Sequence, residues 1–134
     1  MKSAIVAGAI AGVVGGIVAI ISTYMTLPAA VTATVGLNEG TMKWFVSQGG
    51  LNIVWGAIFG WIFSKVYDLI PGSGAMKGLY FSLMIWVFFI GLYPVSFFLL
   101  VYTPPLTAMA MGWGIVGLVV RLFYGPVLGA LYKK

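Results

Sequence analysis

The chain has 134 residues, of which 62% are hydrophobic and 7% charged, and its net charge is +5. Soluble domains carry about 25% charged residues, so this chain lacks the polar side chains needed to cover a water-facing surface; with a mean hydropathy of +1.12 it is predicted to be an integral membrane protein. Cysteine and histidine are absent, which excludes disulfides, thiolate chemistry, histidine-ligated haem or metal and histidine base catalysis.

The first apolar run covers residues 4–27 behind Met1, Lys2 and Ser3. The apolar core of a secretory signal is only about 7–15 residues long, so a retained first span is expected. Ala4, Gly8, Gly12, Gly15, Ala19, Ser22 and Thr26 fall within about 80° of one helical face. Such a groove lets another backbone approach closely, which is how helices associate where lipid is as apolar as leucine. Gly8, Gly12 and Gly15 are expected to pack inside the bundle, with a helix from another chain as the alternative.

Pro28 ends this span and a connection follows, in which Asn38 precedes Glu39 as a candidate cap. Trp44 stands at expected headgroup depth. The second span is read over residues 46–70, with Gly49, Asn52, Gly56 and Gly60 along one face. Lys65 and Asp68 mark its exit, and Pro71, Gly72, Ser73 and Gly74 spell a turn. The third span, over residues 78–101 behind Lys77, carries Tyr80, Phe81, Trp86, Phe88, Phe89, Tyr93, Phe97 and Phe98 on all sides. It is expected to have no tight-packing seam and to face lipid or a large partner, with a kink at Pro94.

The fourth span, over residues 107–132, holds Arg121 near its middle. Thr107, Ala110, Gly114, Gly117, Arg121, Gly125 and Gly129 share a stripe of about 120°, so the charge lies on the face with the smallest residues. Trp55 to Lys65 and Tyr124 to Lys134 both read aromatic-Gly-x-x-x-Gly-x-x-aromatic-x-Lys, and this register sets Asn52 opposite Arg121. The expected architecture is an all-α integral membrane protein of four transmembrane helices, one domain over residues 1–134. Its two hairpins form an internal repeat with parallel topology, related by an axis along the membrane normal. Lys2, Lys65, Lys77, Lys133 and Lys134 fall on one side against Lys43 on the other. The positive-inside rule then places both termini in the cytoplasm and the protein in the plasma membrane. Basic residues so placed read as topology signals, making membrane lipids the expected partners and nucleic acid not one.

Arg121 lies about 12 residues from the terminal lysines, or roughly 18 Å along a helix, too deep to reach the surface easily. A central arginine costs on the order of 3 kcal/mol on insertion scales, so it is the leading site candidate. Asn52, Gln48 one turn before it, Tyr124, Tyr93 and the carbonyls freed by Pro94 and Pro126 are its expected neighbours. It either binds an anion, a lipid phosphate or a quinone carbonyl, or ties the helices together as a hydrogen-bonding hub. Gly56, Gly60, Gly125 and Gly129 are expected to pack helices. The methionines, Met84, Met109 and Met111 among them, have no histidine or cysteine beside them and read as packing, so no metal and no cofactor is expected.

In length and span count the chain resembles small multidrug antiporters, but their first span carries a membrane-embedded glutamate and residues 4–27 hold no acid. Asn52 and the third-span phenylalanines are loosely similar to the polar asparagine and phenylalanine track of small fluoride channels, without a shared motif. Neither family is assigned. Catalysis is not expected: Glu39 and Asp68 are the only acids, and Asp68 lies three residues from Lys65, a spacing that a helix-surface pair explains. The leading expectation is a non-catalytic accessory or structural subunit of a larger membrane complex, an energy-transducing one included, assembled with other subunits or with itself. The alternative is a small homo-oligomeric channel or carrier for an anion or polar solute, using Arg121 and Asn52.

Overall fold

A computed structural model describes residues 3–26, 41–91 and 104–132. These residues are helical almost throughout, with no strand among them. Helix α1 spans Ala4–Thr26 and α2 spans Thr41–Val66, followed by a 3-10 turn at Tyr67–Leu69. Helix α3 covers Ala75–Ile85 and widens into a π-helical stretch at Trp86–Gly91, and α4 covers Pro104–Leu131.

Local chemistry sets several of these boundaries. The Ser3 hydroxyl accepts the Val6 amide at 3.2 Å, satisfying one of the unpaired N–H groups at the start of α1. Gly72 and Gly74 take φ of 94° and 49°, a left-handed backbone that side chains disfavour, and so the chain reverses between α2 and α3. Lys77 closes the same turn: its Nζ donates to the Tyr67 carbonyl at 2.7 Å and sits 4.2 Å from the Tyr67 ring centre. Pro104 and Pro105 occupy the first turn of α4, where a missing N–H costs nothing, whereas Pro126 lies inside α4 without ending it.

Two stretches among the described residues are long and apolar enough to cross a membrane, Ala4–Thr23 and Gly114–Leu131; Ala75–Phe88 is a shorter apolar helix. The helices begin earlier than the hydropathy pattern indicates, α2 at Thr41 instead of 46, α3 at Ala75 instead of 78 and α4 at Pro104 instead of 107. Hydropathy sees the apolar stretch and not the polar turn that leads into it. The connection at 27–40 with Asn38 and Glu39, and the last part of the third span with Tyr93, Pro94, Phe97 and Phe98, lie outside the described residues.

Glycine determines how the helices meet. A Cβ on Gly8 would overlap the Gly56 carbonyl oxygen and fall 2.8 Å from the Gly60 Cα, and one on Gly12 would overlap the Asn52 carbonyl oxygen. Helices α1 and α2 therefore touch backbone to backbone, antiparallel. Between α3 and α4, a Cβ on Gly78 would overlap the Gly125 carbonyl oxygen and lie 2.6 Å from the Gly129 N. Helix α1 also packs on α4, where Gly15 faces Val120 and Tyr124. The third helix thus has a tight seam, Gly78 and Ser82, against the expectation of a helix bulky on all sides. Gly78 and Ser82 stand one turn apart on the face toward α4, while Phe81 in the same turn is directed to α2.

The fourth side of the bundle differs. On α1, the face toward α4 is Ala7, Ala11 and Gly15, all buried. On α3, Lys77 and Phe81 meet α2 instead: Phe81 packs on Phe63 with ring centres 5.0 Å apart, and buried Ile85 follows one turn later in the same core. These larger side chains hold α2 away from α3. The buried core gathers at this end of the bundle, around Phe63, Phe81, Tyr124, Leu128 and Tyr132.

Candidate functional site

Holding α2 off leaves a cavity of about 530 Å3 between α2 and α4, lined by Asn52, Trp55, Gly56, Ile58, Phe59 and Ile62 on one side and Val120, Arg121 and Tyr124 on the other. The α2 residues recur at three- and four-residue steps from Asn52, so one helical face builds that wall.

Arg121 is clasped by rings. Its guanidinium carbon lies 5.0 Å from the Phe59 ring centre and 5.4 Å from that of Tyr124. Cation–π contacts of this kind contribute about 0.5–2 kcal/mol each, the more so when desolvated. They stabilise the charge but supply no hydrogen-bond acceptor to the Nε–H. The Nε is buried and has no hydrogen-bond partner among the described residues. No group of three or more His, Cys, Asp or Glu occurs among them to hold a metal ion.

The surrounding polar groups fix the cleft's frame. Tyr124 donates its hydroxyl to the Gly56 carbonyl at 3.0 Å, joining α4 to α2 across the floor. The Ser82 hydroxyl lies 2.9 Å from both the Leu79 and Arg121 carbonyl oxygens, its one proton shared between them. Ser82 thereby anchors the backbone of Arg121 to α3. Higher up, Trp86 Nε1 donates to the Gly114 carbonyl at 2.9 Å, a second tie between α3 and α4.

Of the residues singled out from sequence, Arg121, Asn52 and Tyr124 line this one cavity, and Gly56 reaches its floor. Gln48 lies on α2, with its side chain outside the described residues. Gly8, Gly12, Gly56, Gly60, Gly125 and Gly129 meet neighbouring helices at backbone distance, whereas a Cβ on Gly15 would lie 3.3 Å from the Val120 side chain. The sequence assigned no site role to Phe59, the ring beside the guanidinium, or to Ser82 and Trp86, which hold α4. A signal for Phe59 existed, because it stands seven residues from Asn52 and therefore on the same helical face.

The outer wall of the cleft is also the outer face of the molecule. Trp55 and Ile58 line the cavity yet are 52% and 42% exposed. The exterior around them is apolar on every helix, with Ile10, Ile17 and Ile21 on α1, Leu51 and Trp61 on α2, Met84 and Phe88 on α3 and Leu122 and Phe123 on α4 all exposed. Compared with protein families, with curated proteins and with solved structures, the chain matches none.

Proposed function

We propose that this chain is a small, non-catalytic, multi-pass membrane protein that serves as a subunit of a larger membrane assembly and offers the Arg121 cleft as a ligand site. The observation that carries this is the unfinished chemistry of that cleft. A guanidinium is retained deep between helices with its Nε unanswered, beside a wall whose residues face outward. A charge so costly to keep in an apolar layer is a functional residue by default, and two aromatic rings hold it in a fixed orientation.

Membrane placement is supported by the exterior. Monomeric soluble proteins expose apolar patches of about 300–600 Å2 at most, and this chain exposes large apolar side chains on all four helices. The repeated-hairpin reading gains support from helix contacts. Ala4 and Gly8 meet Gly60 as Gly74 and Gly78 meet Gly129, and Gly12 meets the Asn52 carbonyl as Ser82 meets that of Arg121. The two hairpins are then built alike, with Asn52 and Arg121 in corresponding places. The break in likeness, Ala11 and Gly15 against Phe81 and Ile85, is what opens the cleft on one side only.

Purification in mild detergent, followed by identification of co-purifying chains, tests the subunit role. Stoichiometric partners are expected, and a monodisperse species containing this chain alone counts against it. A second reading, a carrier or channel for an anion or polar solute, is favoured by Asn52 and Arg121 sharing one cavity. Chloride and phosphate flux into proteoliposomes decides it: wild-type flux above background that falls with Arg121→Ala supports transport, and background flux in both excludes it.

A further inference from the structure

The cleft's position narrows what it can hold. Trp55 lies 14 residues from Thr41 and 11 from Val66, the ends of α2, or about 21 and 16 Å along the helix. Arg121 lies ten residues from Leu131 at the end of α4, about 15 Å. In a bilayer whose hydrocarbon is about 30 Å thick, the mouth at Trp55 and Ile58 opens sideways at mid-depth.

A ligand arriving there has come through acyl chains. A hydrated anion would need a polar path from an aqueous face, and among the described residues the lining offers Asn52, Arg121, Tyr124 and the Trp55 indole N–H as its polar groups. A carboxylic acid could cross the lipid neutral, but to pair with Arg121 it would have to give up a proton. Among the described residues no carboxylate lines the cleft to take it, and the chain has no histidine. What remains is an uncharged molecule that offers the Arg121 guanidinium an acceptor, such as a carbonyl oxygen. The walls favour a flat one, since Phe59 and Tyr124 flank the guanidinium and Trp55, also in the lining, stacks on Phe59 with ring centres 5.7 Å apart. The volume of about 530 Å3 is within the usual range of about 300–1,000 Å3 for small-molecule sites.

We infer that the cleft binds a membrane-dissolved, uncharged, planar molecule bearing a ring carbonyl, of the quinone class, which enters sideways past Trp55 and Ile58 and accepts a hydrogen bond from Arg121. This rests on the reading of the cleft as a ligand site and adds the class of ligand. Only binding is implied, since no residue in the lining exchanges electrons or protons with the ring.

Quinones quench tryptophan fluorescence, so Trp55 is a built-in reporter. The protein, complete and with any co-purifying partner, is placed in phosphatidylcholine nanodiscs and titrated with a benzoquinone carrying a ten-carbon chain. A saturable quenching component is expected that disappears in Trp55→Phe, and whose half-saturation rises at least tenfold in Arg121→Met. Ile62→Phe, which fills the cleft without touching the guanidinium, should raise it likewise and keeps the test available if Arg121→Met fails to fold. Excess inorganic phosphate or stearate should not compete. Displacement by either overturns the quinone assignment but leaves the cleft a ligand site for anions. Quenching that is linear, identical in all variants and unaffected by phosphate or stearate overturns the assignment and the ligand-site reading together.

Discussion

Arg121 is stabilised by two rings and burdened by its own charge, and the balance of these terms is measurable. The contacts with Phe59 and Tyr124 contribute about 0.5–2 kcal/mol each, while a central arginine costs about 2.5–3.5 kcal/mol on insertion scales and more on others. Because the Nε finds no partner, the cost is only partly offset. Arg121→Met keeps an unbranched, flexible stem and removes the guanidinium, its charge and its ring contacts. Its expected effect is a gain of about 1 kcal/mol in unfolding free energy, with ligand response lost, the usual trade between stability and function. Denaturant unfolding in detergent measures it, and a loss of more than about 2 kcal/mol would instead make Arg121 a structural hub. That Arg121 and Asn52 belong together was legible in the sequence, because charge, small residues and an aromatic-glycine register all pointed to one face. That Phe59 and not another polar group would clasp the arginine was not legible: ring stacking depends on how far apart α2 and α4 stand, and Phe81 and Ile85 on a third helix set that distance.

At the scale of helices, the same residue type does opposite things at different positions. Gly8 and Gly78 stand where a Cβ would overlap a carbonyl oxygen of the facing helix, whereas nothing lies within 4 Å of a Cβ on Gly49 or Gly50. A backbone carbonyl cannot rotate aside as a side chain can, so Gly8→Ala or Gly78→Ala must push whole helices apart. Overpacking of this kind costs about 1–3 kcal/mol, and the separated helices also lose contacts along their seam. Gly49→Ala and Gly50→Ala should be neutral or stabilising by up to about 1 kcal/mol, since only helix propensity changes. Unfolding of the four single variants in one detergent checks both directions, and equal effects at all four positions would contradict the seams described. Spacing alone identified Gly8, Gly12, Gly56, Gly60, Gly125 and Gly129 as packing residues. It missed Gly78 and Ser82 because eight aromatic residues dominate the composition of that run, although Gly78-x-x-x-Ser82 is itself a small-residue pair of the same kind. Similarly, the π-helical stretch from Trp86 leaves no mark in hydropathy, which does not register the Trp86 tie to the Gly114 carbonyl of α4.

For the molecule as a whole, the decisive property is which way it faces. The reversal between α2 and α3 carries Lys65 and Lys77 on either side of Ser73, and the proposed four-span topology would set them with Lys2, Lys133 and Lys134 on one side against Lys43 on the other. Lys77 is also committed structurally, since its Nζ donates to the Tyr67 carbonyl, so its place at this end is fixed by fold as well as by charge. Positive charge in short connections is retained in the cytoplasm, and α1 and α2 run antiparallel, so the start of α1 and the turn at Ser73 must share a side. The chain contains no cysteine, which allows single labels without background. Ser3→Cys and Ser73→Cys, both at exposed positions, should resist a membrane-impermeant maleimide in intact cells and react fully once the membrane is opened. Neutralising Lys65 alone should leave this unchanged, because four lysines would still face one. Labelling of Ser3→Cys and Ser73→Cys on opposite sides would break the antiparallel pairing of α1 and α2 and with it the four-span reading. Labelling of both from outside would preserve the bundle and invert it, turning the lysine-rich end outward while leaving the Arg121 cleft at mid-depth.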